Sequence, residues 1–346
     1  MENNIKVATV TAEVIEVLAA ADVLAMCEVH LSQRVCNWPI VAGEHNFSDT
    51  GRVLGMKVYI GYGSFPQVAA ALQAEGAQIV SSLEEADIFV FTQIPRRPFP
   101  ELPDNIQWVQ LPNAGINDLV RAGIVTSDRR WSNASAVYGR QVAESAMALL
   151  LALRHAIPAM VRADSWPKDL SIDAVTTQLT GTRTAIVGMG GIGRALAEML
   201  PTFDSEVVPL GREDRLIDVA GEVDQVVLAC PLTPETERMV DAQVLAAMKP
   251  TALLINVARG EVVDTDALVA ALDAGEIAGA GLDVTAPEPL PDGHPLWGRN
   301  NVVITPHTAN TMHTMDGLLA PVVVENYRRF IAGERMLTEV DPGRGY

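Results

Sequence analysis

The sequence predicts an α/β protein made of two doubly wound parallel domains. Three observations lead there. At 346 residues the chain has room for two hydrophobic cores. From Met56 onward, short apolar runs alternate with helical runs rich in Ala and Leu, the pattern of strands joined by crossover helices. A second series of the same kind opens with "GTRTAIVGMGGIGRALAEML", which sets a glycine-rich turn between a strand and a helix.

Before Met56 the pattern is absent. "TAEVIEVLAAADVLAMCEV" has the spacing of an amphipathic helix, and "GEHNFSDTGRVLG" is a polar linker. Residues 1–55 are therefore either an accessory helix or, the preferred reading, a poorly ordered extension of a fold that begins at Met56. There "KVYIGYG" is a first strand ending in glycines, followed by the helical "FPQVAAALQAEGA". "ADIFVFT" and "IQWVQLPNAG" are further strands. "SAVYGRQVAESAMALLLALRHAI" predicts one helix of about six turns, apolar on most faces. Such a helix is buried between domains, between subunits, or simply in a core. In the second series, strands are expected at "SEVVPL", "VDQVVLAC", "TALLINVA", "IAGAGLDV" and "NNVVITP". The helix "TDALVAALDAG" ends at Gly275 as a C-terminal cap, and "LAPVVVENYRRFIAG" is a last helix that can return to the first domain.

Composition excludes several classes. A formal net charge of −18 argues against nucleic acid and anionic membranes, which need clustered Lys and Arg. No apolar run reaches the roughly 20 residues of a membrane span. Cys27, Cys36 and Cys230 are too few and scattered for a disulfide framework or a zinc site, so no metal is expected. No export signal is visible, and the cytoplasm is the default location.

The glycines of "GMGGIG", Gly188, Gly190 and Gly193, have the G-x-G-x-x-G spacing between strand and helix. The first permits a tight turn, the second lets backbone approach a pyrophosphate, and the third allows close helix–strand packing. This context points to a Rossmann-like dinucleotide site. The acid that usually holds the adenosine ribose would fall about 18–20 residues after Gly193, where "VVPLGRED" has Gly211 and Arg212. Loss of that carboxylate, with Arg212 present and Arg215 near, favours a 2′-phosphate and hence NADP over NAD. Solvated loop arginines are the plain alternative.

Three further stretches place polar residues just past apolar strands: Arg259 in "LLINVARGEVVD", Asp283 and Glu288 in "GAGLDVTAPEPL", and His307 in "NNVVITPHTAN". In a parallel α/β domain these strand ends line the ligand crevice. Singly, they read as a surface arginine, turn carboxylates and a capping histidine. Together, beside a dinucleotide turn, they fit hydride transfer to a 2-keto acid. Arg259 can hold the carboxylate and keto oxygen, and His307 can serve as general acid with Glu288 orienting its ring. Tyr62, Phe65 and Trp297 are either pocket or core.

In order, "GMGGIGR", "ACPLTPET", "INVARGEVVD", "GAGLDVTAPEPLP" and "NVVITPHTAN" resemble the D-isomer-specific 2-hydroxyacid dehydrogenases, from about Met56 to about residue 335. The resemblance implies two Rossmann-like domains. A flavodoxin-like substrate domain would comprise residues 56–150 and 310–346, with a dinucleotide-binding domain, 151–309, inserted in it. It implies Arg259, Glu288 and His307 as catalytic residues, and Ala114, Gly115 and Arg259 as the substrate carboxylate site. It implies cofactor contacts at Gly188, Met189, Gly190, Gly191, Ile192 and Gly193, at Gly211 and Arg212, at Cys230, Pro231 and Thr236, and at Val257, Ala258 and Asp283. It also implies a homodimer built partly on the helix around residues 140–156.

Two departures stand out. The missing ribose acid fits members that resemble NADPH-preferring glyoxylate/hydroxypyruvate reductases, and Ala309-Asn310 replaces a frequent Gly-Gly after the histidine. The expected function is NAD(P)-dependent reduction of a small 2-keto acid such as glyoxylate or hydroxypyruvate. The alternative is a nucleotide-sensing corepressor-like protein without significant turnover. Oxidation of formate on the same fold is disfavoured, because such enzymes carry Gln at the Glu288 position.

Overall fold

A computed structural model describes residues 55–92, 99–135, 137–166 and 171–342. The expectation of a poorly ordered extension over 1–55 therefore lies outside the described residues, apart from Gly55.

The first sheet contains β1 (Lys57–Gly61), β2 (Gln78–Val80), β3 (Ile88–Phe91), β4 (Trp108–Gln110) and β5 (Arg130–Ser132), side by side in the order β2-β1-β3-β4-β5. Helices α1 (Pro66–Ala74) and α2 (Asn117–Arg121) lie along this stretch. Helix α3 (Gly139–Arg154) carries the chain across, followed by the short α4 (Ile157–Arg162) and α5 (Ser171–Val175). The second sheet then builds up from β6 (Arg183–Val187), α6 (Gly191–Met199), β7 (Glu206–Leu210), β8 (Gln225–Leu228), α7 (Ala242–Ala247), β9 (Leu253–Asn256), α8 (Thr265–Ala274), β10 (Gly279–Leu282) and β11 (Val302–Ile304). Its order is β11-β10-β9-β8-β6-β7. Helix α9 (Met312–Ile331) closes the described chain.

Pairings between these strands are all parallel. Every residue of β3, β8, β9 and β10 is buried, as expected for strands covered on both faces, and this explains why they read as apolar runs broken only by Gln225 and Asn256 at strand ends. Strands β2 and β5 escaped sequence reading because "QIV" and "RWS" are three residues each and interleave polar groups.

The long helix differs from its prediction. It does not run from 135 to 157 but ends at Arg154, and Ala156 turns left-handed at φ 50° before α4. Pro158 is the cause: it has no N–H for the Arg154 carbonyl, and its ring would clash there. Helix α3 buries Ala143, Ala146, Leu149, Leu150 and Leu153 with Ile186, Leu196 and Ile255 of the second sheet and α6.

Helix α9 starts earlier than predicted and contains Pro321. The exposed proline is tolerated because the turns on either side are anchored. Met315, Leu319 and Val323, each 0% exposed, pack with Val58, Val68 and Leu72 of β1 and α1. Each such side chain contributes about 1.5–3 kcal/mol on burial. Helix α1 has Phe65 as its N-cap residue and no cap of its own; Asp316 of α9 supplies one, accepting from the Gln67 and Val68 amides at 2.9 and 3.0 Å. Such a cap is typically worth about 1 kcal/mol, so the last helix fixes the first. No helix among the described residues is long and apolar enough to cross a membrane.

Candidate active site

The glycine turn follows β6, beside the point where strand order reverses between β7 and β8. The three glycines do three different things. Gly188 takes φ 99°, and a Cβ on it would meet the Ala229 carbonyl at 2.8 Å, so only glycine fits between this turn and the loop after β8. A Cβ on Gly193 would run into the Gly188 carbonyl, which is the close helix–strand approach. Gly190 is exposed, and nothing lies within 4 Å of its missing Cβ. Open backbone at the head of α6 is a surface that an anionic pyrophosphate fits. Met189, Gly191 and Ile192 complete this turn, and Val257 and Ala258 lie buried on the parallel turn after β9. Next to them the "CPLTPET" loop is self-bonded: Thr236 Oγ1 donates to the Pro231 carbonyl at 2.7 Å and accepts from the Thr233 amide at 2.8 Å. Burial pushes the Cys230 thiol up to about 11, so it stays protonated.

Arg259 follows β9 on a turn organised by Asn256, which sequence reading passed over. The Asn256 side chain, 1% exposed, accepts from the Ala258 amide at 3.0 Å and donates to the Arg259 carbonyl at 2.9 Å. The Arg259 guanidinium reaches Gly115, in the loop after β4 of the first sheet. A Cβ on Gly115 would lie 2.5 Å from Cζ of Arg259, with Nη2 closer still. The two sheets thus meet at an arginine laid on bare glycine backbone.

His307 follows β11 in a left-handed turn, φ 53°. Asp283, 3% exposed at the end of β10, holds that turn. Its carboxylate accepts from Thr305 Oγ1 at 2.6 Å, the Thr308 amide at 2.9 Å and the Ala309 amide at 3.1 Å, while its carbonyl accepts from the His307 amide at 2.8 Å. His307 Nδ1 lies 2.7 Å from Glu288 Oε1, with both side chains about half exposed. That hydrogen bond, with the Glu288 charge, holds the imidazole above its ordinary value of 6.5 against burial and the Arg259 charge. The same bond holds Glu288 below the usual carboxylate range. Because Nδ1 is committed to Glu288, Nε2 is the nitrogen left for chemistry.

Arg212 is exposed at the end of β7, as are Glu213, Asp214 and Arg215. Asp214 folds back to accept from the Gly211 amide at 2.7 Å, and Glu235 of the neighbouring loop is held below the usual carboxylate range by Thr233 first and by the Arg212 charge last. This end of the cleft is therefore mixed in charge. Among the described residues no group of His, Cys, Asp and Glu is arranged to hold a metal.

A family model for the NAD binding domain of D-isomer specific 2-hydroxyacid dehydrogenases matches residues 146–309. Human glyoxylate reductase/hydroxypyruvate reductase is 32% identical over 253 residues, 68% of this chain and 77% of that protein. The chain belongs to the D-isomer-specific 2-hydroxyacid dehydrogenase family. An uncharacterised protein of Corynebacterium melassecola is 43% identical over 291 residues, covering 80% of this chain and 95% of that one. Among solved structures, a D-isomer specific 2-hydroxyacid dehydrogenase from Xanthobacter autotrophicus, in complex with NADPH and MES, superposes with a TM-score of 0.70 at 29% identity, over 84% of this chain and 100% of that chain. As a member of this dehydrogenase family, the protein is an NAD(P)-dependent oxidoreductase of 2-hydroxy or 2-keto acids.

The fold brings together Arg259, Gly115, His307, Glu288 and Asp283. Phe65 is core at 4% exposed, and Trp297, later on the β10–β11 connection that carries Glu288, donates to the Pro291 carbonyl at 2.9 Å. Tyr62 is 51% exposed past β1, packed edge-on against Phe91. The sequence signal for Asn256 was available, since an amide inside an all-apolar strand end calls for turn hydrogen bonds.

Proposed function

We propose that the protein reduces a small 2-keto acid of the glyoxylate or hydroxypyruvate kind to the D-2-hydroxy acid, preferring NADPH to NADH. The observation that carries this is the pairing of His307 with Glu288 across from an arginine braced on Gly115. Bound nicotinamide supplies the hydride for the keto carbon. Arg259 fixes the substrate carboxylate and polarises the keto oxygen through its planar fork. The amides of Ala114 and Gly115 receive the carboxylate's other edge. Protonated His307 gives its Nε2 proton to the keto oxygen as the carbon gains the hydride, and keeps its Nδ1 proton on Glu288. Asp283 keeps the histidine turn in place and stands where the nicotinamide amide would reach it. Gly188 to Gly193, Gly211, Cys230, Pro231, Thr236, Val257 and Ala258 form the dinucleotide cradle.

The NADPH preference rests on Arg212, with a neutral Gly211 where a ribose-binding acid would stand, and on the NADPH bound to the Xanthobacter relative. Residues 56–150 and 310–346 would form the flavodoxin-like substrate domain and 151–309 the dinucleotide domain, with α3 spanning the first crossing. The order β2-β1-β3-β4-β5 and the packing of α9 on α1 support that division. A homodimer is part of the proposal. Ile157, Met160, Val161 and Trp166, the last two 78% and 88% exposed, form an apolar strip after α3 that a second copy would cover.

The test is oxidation of NADPH and of NADH by the wild type with glyoxylate, hydroxypyruvate, pyruvate and phenylpyruvate. Turnover with the small acids, faster with NADPH, is expected. His307→Ala should bind cofactor normally and lose roughly 10²–10⁴ in kcat. Tight cofactor binding by the wild type without turnover of any keto acid would overturn the assignment and favour a sensor.

A further inference from the structure

The loop after β4 sorts its hydrogen-bonding groups by side. The Leu111 carbonyl accepts from Gln110 Nε2 at 2.9 Å, and the Pro112 carbonyl from the Tyr138 hydroxyl at 2.9 Å. The Asn113 carbonyl accepts from the Ala134 amide at 3.0 Å, and the Ala114 carbonyl from Asn133 Nδ2 at 2.9 Å. Successive carbonyls are thus all held, by donors from β4, from the two residues after β5 and from the N-cap residue of α3. Among the described residues, the amides of Ala114 and Gly115 engage no acceptor.

The donors are themselves fixed. Gln110 Nε2 also bonds the Asn133 carbonyl at 2.9 Å, and its Oε1 accepts from Ser132 Oγ at 2.7 Å and Asn326 Nδ2 at 2.9 Å. Asn133 Oδ1 accepts from the Ser135 amide at 3.1 Å. Gln110, Ser132 and Asn326 are fully buried and Asn133 nearly so, and none of them carries a charge. A satisfied, uncharged buried network of this kind is rigid without adding a field of its own.

A carbonyl facing the cleft would repel a carboxylate laid on Arg259, whereas an amide attracts it. We propose that Tyr138 and Asn133 are positioning residues for the substrate carboxylate: by holding the Pro112 and Ala114 carbonyls away, they present the Ala114 and Gly115 amides beside Arg259. This rests on the 2-keto acid reading above.

The test compares wild type, Tyr138→Phe and Asn133→Ser with Tyr327→Phe, all as NADPH-loaded full-length protein. Tyr327 is a comparably buried tyrosine, 1% exposed in the core between α9 and β1 and away from the site, so loss of its hydroxyl reports structure alone. Three readouts are needed: kcat and KM for glyoxylate, the preference for glyoxylate over its uncharged amide, and oxalate affinity by titration. Loss of one buried hydrogen bond should raise KM for the acid, and weaken oxalate, on the order of ten-fold in either site variant. The preference for acid over amide should shrink by the same factor, with kcat and NADPH affinity within about two-fold. Tyr327→Phe should lower Tm and leave all three readouts in place. Unchanged KM and oxalate affinity in both site variants, or equal changes in Tyr327→Phe, would overturn the proposal. Oxalate titration needs no turnover: a wild type that binds oxalate but reduces no keto acid defeats the functional reading alone, and one that binds no oxalate defeats this one.

Discussion

Replacing Gly115 by alanine is the sharpest probe of how the two sheets make one site. The added Cβ would lie 2.5 Å from Cζ and 3.2 Å from Nε of Arg259, with Nη2 closer. Ordinary van der Waals contact begins near 3.4 Å, so the guanidinium must retreat by about 1–2 Å. The backbone itself accepts the change, because Gly115 is not among the glycines with positive φ. The obstructing atoms are the far end of a flexible side chain, so the fold should survive, and alanine even restricts the unfolded chain slightly. A displacement of about 1 Å at a substrate-positioning group can cost on the order of 10²-fold in rate. Gly115→Ala should therefore lose roughly 10²-fold in kcat/KM for the keto acid, keep its NADPH affinity and keep its Tm within about 2 °C. Steady-state kinetics with fluorescence titration of the cofactor and a thermal melt give all three numbers. A variant within about three-fold of wild-type kcat/KM would refute the idea that bare backbone at 115 is there for Arg259.

Three other outcomes are expected. In Glu288→Gln the histidine loses the group that raises it. Reduction requires the imidazolium, so the alkaline fall in kcat/KM should begin at lower pH than in wild type; an unmoved pH profile would count against the pair as the catalytic acid. Arg212→Ala should weaken NADPH by about 10-fold and NADH little, since a charge-assisted bond to a phosphate contributes roughly 1.5–3 kcal/mol; equal losses for both cofactors would remove Arg212 from cofactor choice. Arg154, 5% exposed at the end of α3, donates to the Asp224 carbonyl at 2.7 Å and to Gln225. Arg154→Met leaves the buried Gln225 side-chain oxygen without its donor, while the Asp224 carbonyl keeps the Leu253 amide; it should cost about 1–3 kcal/mol in denaturant unfolding with little change in KM, and unfolding midpoints matching wild type would show the arginine to be dispensable.

Much of this arrangement was legible in one dimension. The largely apolar runs of β3, β8, β9 and β10 read as strands covered on both faces, and the spacing of Gly188, Gly190 and Gly193 between strand and helix pointed to a dinucleotide turn over an ordinary one. Arg259, Glu288 and His307 showed themselves as polar residues just beyond such strands. The end of α3 was legible too, since Pro158 forbids the bond to Arg154, but its neighbours' helical propensity masked it.

Other features carry no local signature. Asp316 caps a helix some 250 residues earlier in the chain, and no window of sequence around Phe65 reveals that. Tyr138, Asn133 and Gln110 look like ordinary polar residues until β4, β5 and α9 converge and give each amide and hydroxyl its hydrogen-bond partners. Residue type and spacing determine where the chain turns and what chemistry each strand end can offer, because those depend on bonds within a few residues. Only the tertiary structure decides which offers meet: that Arg259 lies on Gly115 rather than in water, and that Nδ1 of His307 is the nitrogen held by Glu288. Those contacts depend on which strand-end loops the whole fold brings to one place, and that is set by packing spread over the entire chain rather than by any local stretch.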